Sequence, residues 1–424
     1  MIQEPTGNLI AKVPSEKPWV LIAAYDVSTG NSSEGHVAFC LLSELCKTHR
    51  IILITRKNNK MKIENGSIFK QKCPGVYLVG YDLPKWASFW KRGALFYQAY
   101  AYLWQMTWPL ILKKYNRILR ELGLVHVLNF HNDSIPSLAW LLGLPVVWGP
   151  INHNEQIPPW RRDLWPQRVS MKYTAAFSIR KVLWRIDPFL KLHIRRCSVV
   201  LAAGQWVDQR LDLQHSKKVI YRSQLGFSEG LFKVVKSIPK EIDQNHIELI
   251  CAGRLDWIKG LDLAVEALAQ LPAQYRLRLV GSGPAESTLR VLISKLGLKD
   301  RVIIQPPVAR EVLPYLYAES SLFLFPSAEV AGLVWVEALA SGLPVVAFDG
   351  LTEVAAAANY LPGIQLATAT CERKTQVEGY AAAIKTAQCT DYDPLQLSEA
   401  VLAYYGWKSL ADTVVMAYGH ARGE

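Results

Sequence analysis

The chain has 424 residues, of which half are hydrophobic and a fifth are charged, so it is neither a disordered nor a fibrous protein. This length favours two domains over one, and the formal net charge of +12 indicates an anionic partner such as a nucleotide, a nucleic acid or a lipid surface. The seven cysteines include no Cys-x-x-Cys pair, which argues against a disulfide framework or a zinc site and favours the cytoplasm. The polar residues 1–18 lack the apolar segment of a secretory signal.

The first half of the chain alternates predicted strands and helices. Apolar runs at 19–25 and 50–56 predict buried strands, and apolar residues at helical spacing predict a helix over 37–49. A polar loop with two glycines, 26–36, precedes this helix, so the segment is predicted to be a βαβ unit. Residues 125–149 repeat the order of strand, helix and strand, which favours a parallel sheet.

The stretch 93–112 has no charged side chain and is flanked on both sides by basic residues. Twenty residues is the length of a membrane span, but the glutamines, tyrosines and tryptophans and Pro109 make this stretch a poor solute for hydrocarbon. Three interpretations remain open at this point. The stretch is a membrane span, an interfacial or acceptor-facing helix, or a helix packed in the core.

The second half of the chain alternates in the same way. Predicted strands lie at 247–253, 275–283, 301–305, 321–327 and 344–348, and predicted helices lie at 260–271, 285–298 and 311–320. We therefore predict two doubly wound, Rossmann-like α/β domains with parallel sheets, which face each other across a cleft at the carboxyl ends of their strands. The break between them falls near 205–225, where apolar runs are absent.

Two glutamates lie on either side of a glycine after one of these strands. Glu329 and Glu337 flank Gly332, and the following helix is predicted to begin at Gly332 or Leu333. The first N–H groups of that helix would form an anion site, and a glycine allows a phosphate to approach the backbone. Carboxylates are suited to accepting hydrogen bonds from sugar hydroxyls. The alternative is one glutamate at a helix start and one solvated glutamate in mid-helix.

Two basic residues follow another predicted strand. Arg254 comes directly after the strand at 247–253, and Lys259 precedes the helix at 260–271. A guanidinium and an ammonium at neighbouring strand ends can neutralise a diphosphate without a metal ion. The alternative is that both are ordinary surface residues of a βα loop.

Together these residues resemble the retaining glycosyltransferases of the GT-B fold, family four. The matching residues are Gly253-Arg254, Lys259-Gly260, Pro326-Ser327, Glu329, Gly332, Glu337-Ala338, Ala340, Gly342 and Pro344-Val345. Residues 225–232 resemble the family's entry into its second domain without the usual Asn and Asp, and residues 148–159 resemble a loop of exopolysaccharide-type members.

The resemblance implies a domain order. Residues 1–215 are expected to form the acceptor-side domain, and residues 216–400 the nucleotide-sugar donor domain. Residues 401–424 are expected to form a helix that crosses back onto the first domain.

The resemblance also implies roles for the candidate residues. Arg254, Lys259 and Glu329 would be catalytic, with the two cations on the donor diphosphate and Glu329 on the transferred sugar. Glu337 would bind the ribose. The full donor-binding set would be Gly30, Gly35, Gly253, Arg254, Lys259, Glu329, Gly332, Leu333, Val334 and Glu337. No metal or other cofactor is expected, because no Asp-x-Asp motif lies at a strand end.

The acceptor side is less explicit in the sequence. His131 and His153 each follow a predicted strand and are candidate contacts to the acceptor or the sugar, although a histidine at a strand end is more often structural. The segment 160–196 has ten lysines and arginines against two acids, with aromatic residues between them. This pattern suits an anionic membrane face, and equally suits solvated helix faces with tryptophans in the core.

The predicted activity is therefore that of a retaining, metal-independent hexosyltransferase in polysaccharide or glycoconjugate synthesis. A UDP-hexose of the UDP-glucose type is the favoured donor, and the acceptor is expected to be a saccharide or a lipid-linked saccharide. The expected location is the cytoplasm, with peripheral contact to the inner face of the membrane. A nucleotide-sugar epimerase of the same fold and a non-catalytic nucleotide-binding protein remain alternatives. No recognisable nucleic-acid-binding module supports a nucleic-acid partner.

Overall fold

A computed structural model describes residues 18–29, 33–91, 96–113, 121–128, 132–227, 230, 246–350 and 352–424. The chain divides into two compact units. The first unit comprises Met1–His153, Ser178–Gln224 and Trp407–Glu424, and the second comprises Asn154–Phe177 and Leu225–Gly406.

The first unit is built on a parallel sheet of seven strands. In chain order the strands are β1 (Trp19–Ala24), β2 (Arg50–Thr55), β3 (Tyr77–Gly80), β4 (Leu122–Leu128), β5 (Val146–Ile151), β6 (Val199–Ala202) and β7 (Val219–Tyr221). Their order across the sheet is β3-β2-β1-β4-β5-β6-β7, and β1 pairs with both β2 and β4. The central strands are buried along nearly their whole length, which is why they read as continuous apolar runs.

Nine helices include residues of the first unit. They are α1 (Ser33–Leu45), α2 (Lys57–Asn65), α3 (Ser67–Lys72), α4 (Lys85–Ser88), α5 (Tyr97–Leu112), α6 (Gln167–Ile186), α7 (Pro188–Arg196), α8 (Gln205–Leu211) and α16 (Trp407–Arg422), counted over the described residues. The division of the chain after Phe177 falls within α6. Helix α16 packs on the sheet, where the Tyr418 hydroxyl lies 2.7 Å from Nδ1 of His126.

The second unit is built on a parallel sheet of six strands. They are β8 (Ile247–Ala252), β9 (Tyr275–Val280), β10 (Val302–Gln305), β11 (Leu322–Phe325), β12 (Val345–Phe348) and β13 (Ile364–Ala367). Their order is β10-β9-β8-β11-β12-β13, so the strand order reverses between β8 and β11. In doubly wound sheets, ligands bind outside the carboxyl ends of the strands at such a reversal.

Seven further helices lie in the described residues of the second unit. They are α9 (Leu261–Ala269), α10 (Glu286–Lys295), α11 (Leu313–Ala318), α12 (Leu333–Ala340), α13 (Glu353–Ala357), α14 (Arg373–Cys389) and α15 (Pro394–Tyr405). Apolar side chains of this unit form two buried clusters, of which one includes Tyr380 and the other Trp335. The prediction of two doubly wound parallel α/β domains is therefore confirmed for the sheets.

Two predicted helices differ from the structure. Helix α1 begins at Ser33, four residues earlier than predicted, so that Glu34 lies in its first turn. The helix predicted over 137–144 is only a short 3₁₀ turn, Ala139–Leu142, because Pro136 and Pro145 limit it and Gly143 ends it with a φ of +73°.

Residues 97–112 of the uncharged stretch form α5, which has one buried and one exposed side. Trp104 and Trp108 are fully buried, and the Trp108 indole N–H donates to Gln105 at 2.9 Å. Leu103 and Leu110 lie on the opposite side and are exposed. Among the described residues, no helix has both the length and the apolar character needed to cross a bilayer.

Candidate functional site

A lysine and a glutamate meet at the reversal point of the second sheet. Lys259 ends a 3₁₀ turn between β8 and α9, and Glu329 follows β11. Because β8 and β11 are paired neighbours, their following loops lie side by side. Lys259 Nζ lies 2.5 Å from Glu329 Oε2, and about a fifth of each side chain is exposed, at 18% and 24%. The structure thus brings together two of the residues that the sequence singled out.

The loops that carry this pair are packed tightly against each other. Gly260 has a φ of +63°, and a Cβ at this position would lie 2.4 Å from the carbonyl oxygen of Pro326. The backbone N–H of Ala328 also donates to the carbonyl of Ile258 at 2.9 Å. A glycine is needed at 260 for both its backbone conformation and its lack of a side chain.

Replacing Gly260 with alanine tests this packing. We expect Gly260→Ala to lower the free energy of unfolding by about 2 kcal/mol more than Gly297→Ala does. Gly297 is a matched control, because its φ is +69° but nothing lies within 4 Å of the position of its Cβ. Urea unfolding measures both variants, and equal losses of stability would show that the contact with Pro326 does not constrain the loop.

Arg254 lies at the rim of the same cavity as Lys259. Its side chain is 70% exposed, and its Nε lies 3.6 Å from Asp256 Oδ2. The preceding Gly253 has a φ of +128°, and its carbonyl oxygen occupies the place that a Cβ on Gly281 would need. An arginine that is this exposed and only weakly held by Asp256 is available to turn towards an anion in this cavity.

The predicted anion site lies at the start of α12. Gly332 is the residue before the helix, which begins with Leu333 and Val334 as expected from the sequence. A Cβ on Gly332 would lie 2.9 Å from the Phe325 ring, so this glycine lets the loop pass over the end of β11. The first N–H groups of a helix have no partners within the helix and carry its positive dipole end.

Glu337 is buried within α12 rather than solvated. It is 6% exposed and pairs with Arg310, whose Nε lies 2.7 Å from Glu337 Oε1 and whose Nη2 contacts the same oxygen. Burial raises the pKa of the Glu337 carboxyl, and the Arg310 guanidinium opposes this rise. The two side chains line a second cavity with Phe227 and Tyr317. The alternative of a solvated mid-helix glutamate is therefore wrong.

Residues 154–177 of the second unit support the loop that follows β11. The side chain of Asn154 accepts a hydrogen bond from the Val330 N–H at 2.9 Å. Arg161 is buried and donates to the Pro326 carbonyl at 2.7 Å. Burial lowers the pKa of Arg161 to about 10, which leaves it charged at neutral pH. Sequence reasoning missed both residues. Arg161 was treated only as part of the basic segment 160–196, and in the loop 148–159 only His153 was considered as a site residue.

The remaining predicted residues lie in the first unit. Gly35 is buried in the first turn of α1, and its carbonyl accepts a hydrogen bond from the Ser28 N–H at 3.0 Å. The His153 ring lies 6.0 Å from the Trp184 ring in an edge-to-face contact. Gly30 and His131 lie outside the described residues.

A polar cavity in the first unit was not predicted. It lies at the carboxyl ends of β1 and β4, beside α5, and its polar lining residues are Tyr25, Asp26, Glu34, Tyr97, Gln98, Gln105 and Asn132. Asp26 accepts a hydrogen bond from Asn59 at 3.2 Å. Burial raises the pKa of the Glu34 carboxyl to about 7, and the neighbouring Asp26 carboxylate adds to this rise. The signal in the sequence was an aspartate directly after the first strand.

The raised pKa of Glu34 predicts a specific dependence of stability on pH. The folded protein keeps the proton up to about pH 7, whereas the unfolded chain releases it near 4.5, so folding is increasingly disfavoured as pH rises through this window. We expect Glu34→Gln to leave stability nearly unchanged at pH 4.5 and to raise it by about 1–3 kcal/mol at pH 8. Urea unfolding at both pH values measures this, and an equal effect at the two pH values would contradict the assignment.

Within the described part of the chain, no three side chains of His, Cys, Asp or Glu are grouped so that they could hold a metal ion. All seven cysteines lie in the described residues, none of them is in a disulfide, and five of them are buried.

Comparisons with known proteins agree with this geometry. Residues 234–387 match the family described as Glycosyl transferases group 1. The chain is 34% identical over 185 residues to the D-inositol 3-phosphate glycosyltransferase of Mycolicibacterium smegmatis, covering 41% of this chain and 40% of that protein. The chain thus aligns with only a quarter to two fifths of the length of such curated relatives.

Solved structures share the fold over almost the whole chain. The sucrose-phosphate synthase of Thermosynechococcus elongatus is 16% identical, with a TM-score of 0.61, and the alignment covers 95% of this chain and 98% of that one. The HepE protein of Anabaena in complex with UDP and glucose is 19% identical, with a TM-score of 0.56 and coverages of 94% and 99%. At these identities the likeness establishes a common fold.

Proposed function

We propose that this chain, whose residues 234–387 match the glycosyl transferases group 1 family and which has the GT-B fold, is a glycosyltransferase. It would transfer a hexose from a nucleotide sugar to a hydroxyl-bearing acceptor. The observation that carries the proposal is the Lys259–Glu329 pair at the carboxyl edge of the second sheet, beside the N-terminus of α12. The pair offers a cation that can bind phosphate and a carboxylate that can accept hydrogen bonds from hydroxyl groups. The helix N-terminus beside it can bind an anion.

The donor would be held by positively charged groups and amides at its diphosphate and by carboxylates at its two sugars. Lys259 and Arg254 would neutralise the diphosphate, and the amides at Gly332, Leu333 and Val334 would cap its oxygens. Glu329 would accept hydrogen bonds from the transferred sugar, and Glu337 would do so from the ribose. In the structure Lys259 is held by Glu329, which keeps the ammonium at the edge of the cavity before a donor arrives.

The reaction would proceed by departure of the diphosphate. As the bond to the anomeric carbon breaks, negative charge develops on the leaving diphosphate, and fixed cations and helix amides stabilise it. The acceptor hydroxyl would enter on the same face, and the departing diphosphate would take its proton. The product would then keep the configuration of the donor sugar.

A UDP-hexose is the proposed donor. The Anabaena protein of the same fold was solved with UDP and glucose, which supports a uridine nucleotide. The acceptor is proposed to bind in the polar cavity of the first unit, where Asp26, Glu34 and Asn132 offer acceptors and donors to hydroxyl groups. A saccharide or the sugar of a lipid-linked acceptor fits this chemistry.

One assay separates the transferase from its alternatives. The protein is incubated with UDP-glucose and a panel of saccharide acceptors, and both the released UDP and the nucleotide sugar are followed by NMR. Acceptor-dependent release of UDP with an α-linked product supports the proposal. An isomerised nucleotide sugar without any acceptor would indicate an epimerase, and binding of the donor without any turnover would indicate a non-catalytic nucleotide-binding protein.

A further inference from the structure

The first unit exposes an apolar stripe along the end of α6. Ile179, Val182 and Ile186 are more than half exposed, and their spacing of three and four residues places them on one face of the helix. Phe189, in the first turn of α7, is also exposed and continues the apolar surface past the junction between the two helices. Large apolar side chains grouped in this way on a surface mark an interaction site.

The charges around this stripe have one sign. Lys181 and Arg185 are exposed on α6, next to the apolar stripe, and Lys191 is exposed on α7. The only acidic residue between 164 and 196 is Asp187, which is buried and caps α7 by accepting hydrogen bonds from its first N–H groups. The surface is therefore apolar and basic, without an exposed carboxylate in this segment.

Helix α5 extends the apolar surface. The Tyr102 hydroxyl donates to Asp187 Oδ2 at 2.9 Å, which fixes the middle of α5 against the α6–α7 junction. Leu103, next to Tyr102, is exposed, and so is Leu110 two turns further on. Since α5 contains no charged residue, contact of its exposed side with an apolar phase would bury no charge of the helix.

Two exposed aromatic residues lie close to the start of α5. Trp86 is 79% exposed and Phe89 is 78% exposed, and Lys85 lies beside them. The segment is fixed to α5 through Trp90, whose ring packs 6.4 Å from that of Tyr100. Exposed tryptophan beside lysine is typical of residues at the level of lipid headgroups.

We propose that the first unit docks on an anionic lipid surface through this face, which comprises α5, the segment 85–89 and residues 178–191. The helices would lie in the headgroup plane, with the apolar side chains below it and the lysines and arginines at the lipid phosphates. The proposed contact is peripheral. The inference goes beyond the proposed sugar transfer, and would place the protein where a lipid-linked acceptor is presented.

The test is flotation of the full chain with vesicles of phosphatidylcholine alone and with added phosphatidylglycerol. We expect binding to the anionic vesicles that weakens as salt is raised, because charge attraction contributes to it. Val182→Glu/Ile186→Glu and Lys181→Glu/Arg185→Glu should each weaken the binding about tenfold or more. Val291→Glu and Lys295→Glu/Lys299→Glu are matched controls on an exposed face of the second unit, and should bind as the unaltered protein does.

Three outcomes would overturn the inference. The first is no binding to anionic vesicles, and the second is equal binding by the face variants and the controls. The third is a dimer in sedimentation without vesicles that Val182→Glu/Ile186→Glu abolishes, because the face would then be covered by a second copy of the chain. UDP binding by the same variants is expected to stay unchanged, so a failure here leaves the donor-site proposal standing.

Discussion

Lys259→Ala is expected to lower kcat for hexose transfer about a hundredfold. A fixed cation that stabilises charge on a departing group contributes on the order of 3 kcal/mol to the transition state. The effect should be large here because the side chain is mostly buried beside the cavity, where the charge of the diphosphate is poorly screened by water. Initial rates at saturating donor and acceptor measure it.

The control for this variant is Lys299→Ala, which removes an exposed lysine of the same unit. It should retain the full rate. Glu329→Gln should separate the proposed role of Glu329 in holding the transferred hexose from that of Lys259 in holding the diphosphate. UDP has no hexose for the glutamate to contact. The affinity of this variant for UDP should change less than threefold, whereas the rate of hexose transfer should fall. If Lys259→Ala keeps more than half of the rate, Lys259 does not stabilise the leaving diphosphate.

Arg310→Ala is expected to lower the free energy of unfolding by about 3–5 kcal/mol at pH 8. The substitution removes the partner of Glu337 and leaves a carboxylate buried in α12, where burial already raises its pKa. Loss of the guanidinium raises that pKa further, so the folded state holds the proton to a higher pH than the unfolded chain. The loss of stability should therefore shrink as pH falls towards 5.

The double variant Arg310→Ala/Glu337→Gln tests the cause of this loss. Because it removes both the guanidinium and the buried charge, we expect it to recover at least half of the lost stability at pH 8. Urea unfolding of the single and double variants at pH 5 and pH 8 measures the coupling. A double variant as unstable as Arg310→Ala at pH 8 would mean that the lost packing of the arginine, and not the unpaired carboxylate, explains the effect.

The strands of the second unit were predictable because they are short apolar runs with turn residues at both ends. The start of α12 at Leu333 followed from the same pattern. The ion pair of Lys259 with Glu329 was not predicted, because the sequence does not show that β8 and β11 are neighbours in the sheet.

The partners of the site residues were not predictable in this way. Arg310 and Glu337 are 27 positions apart, and only the packing of α12 against the turn at 310–312 makes them an ion pair. Asn154 and Arg161 reach the loop after β11 from a segment more than 160 positions earlier in the chain. Sequence periodicity describes which side of an element is buried, but not which distant side chain lies opposite it.

The polar cavity of the first unit was also not predictable from the sequence, because distant segments complete it. Asp26 and Glu34 are both in the loop-to-helix segment that was considered for its glycines, yet the residues that complete the cavity come from α5 and from Asn132. Helix α5 therefore has two functions in our account. Its inner side lines the cavity proposed for the acceptor, and its outer side belongs to the face proposed to dock on lipid.

The second unit is proposed to bind a nucleoside diphosphate through Lys259 without a metal ion. Isothermal titration of the protein and of Lys259→Ala with UDP, GDP and ADP in EDTA measures this binding. We expect micromolar binding of UDP by the unaltered protein and its loss in Lys259→Ala. Absence of binding by all three nucleotides, or equal binding of UDP by Lys259→Ala, would contradict this proposal.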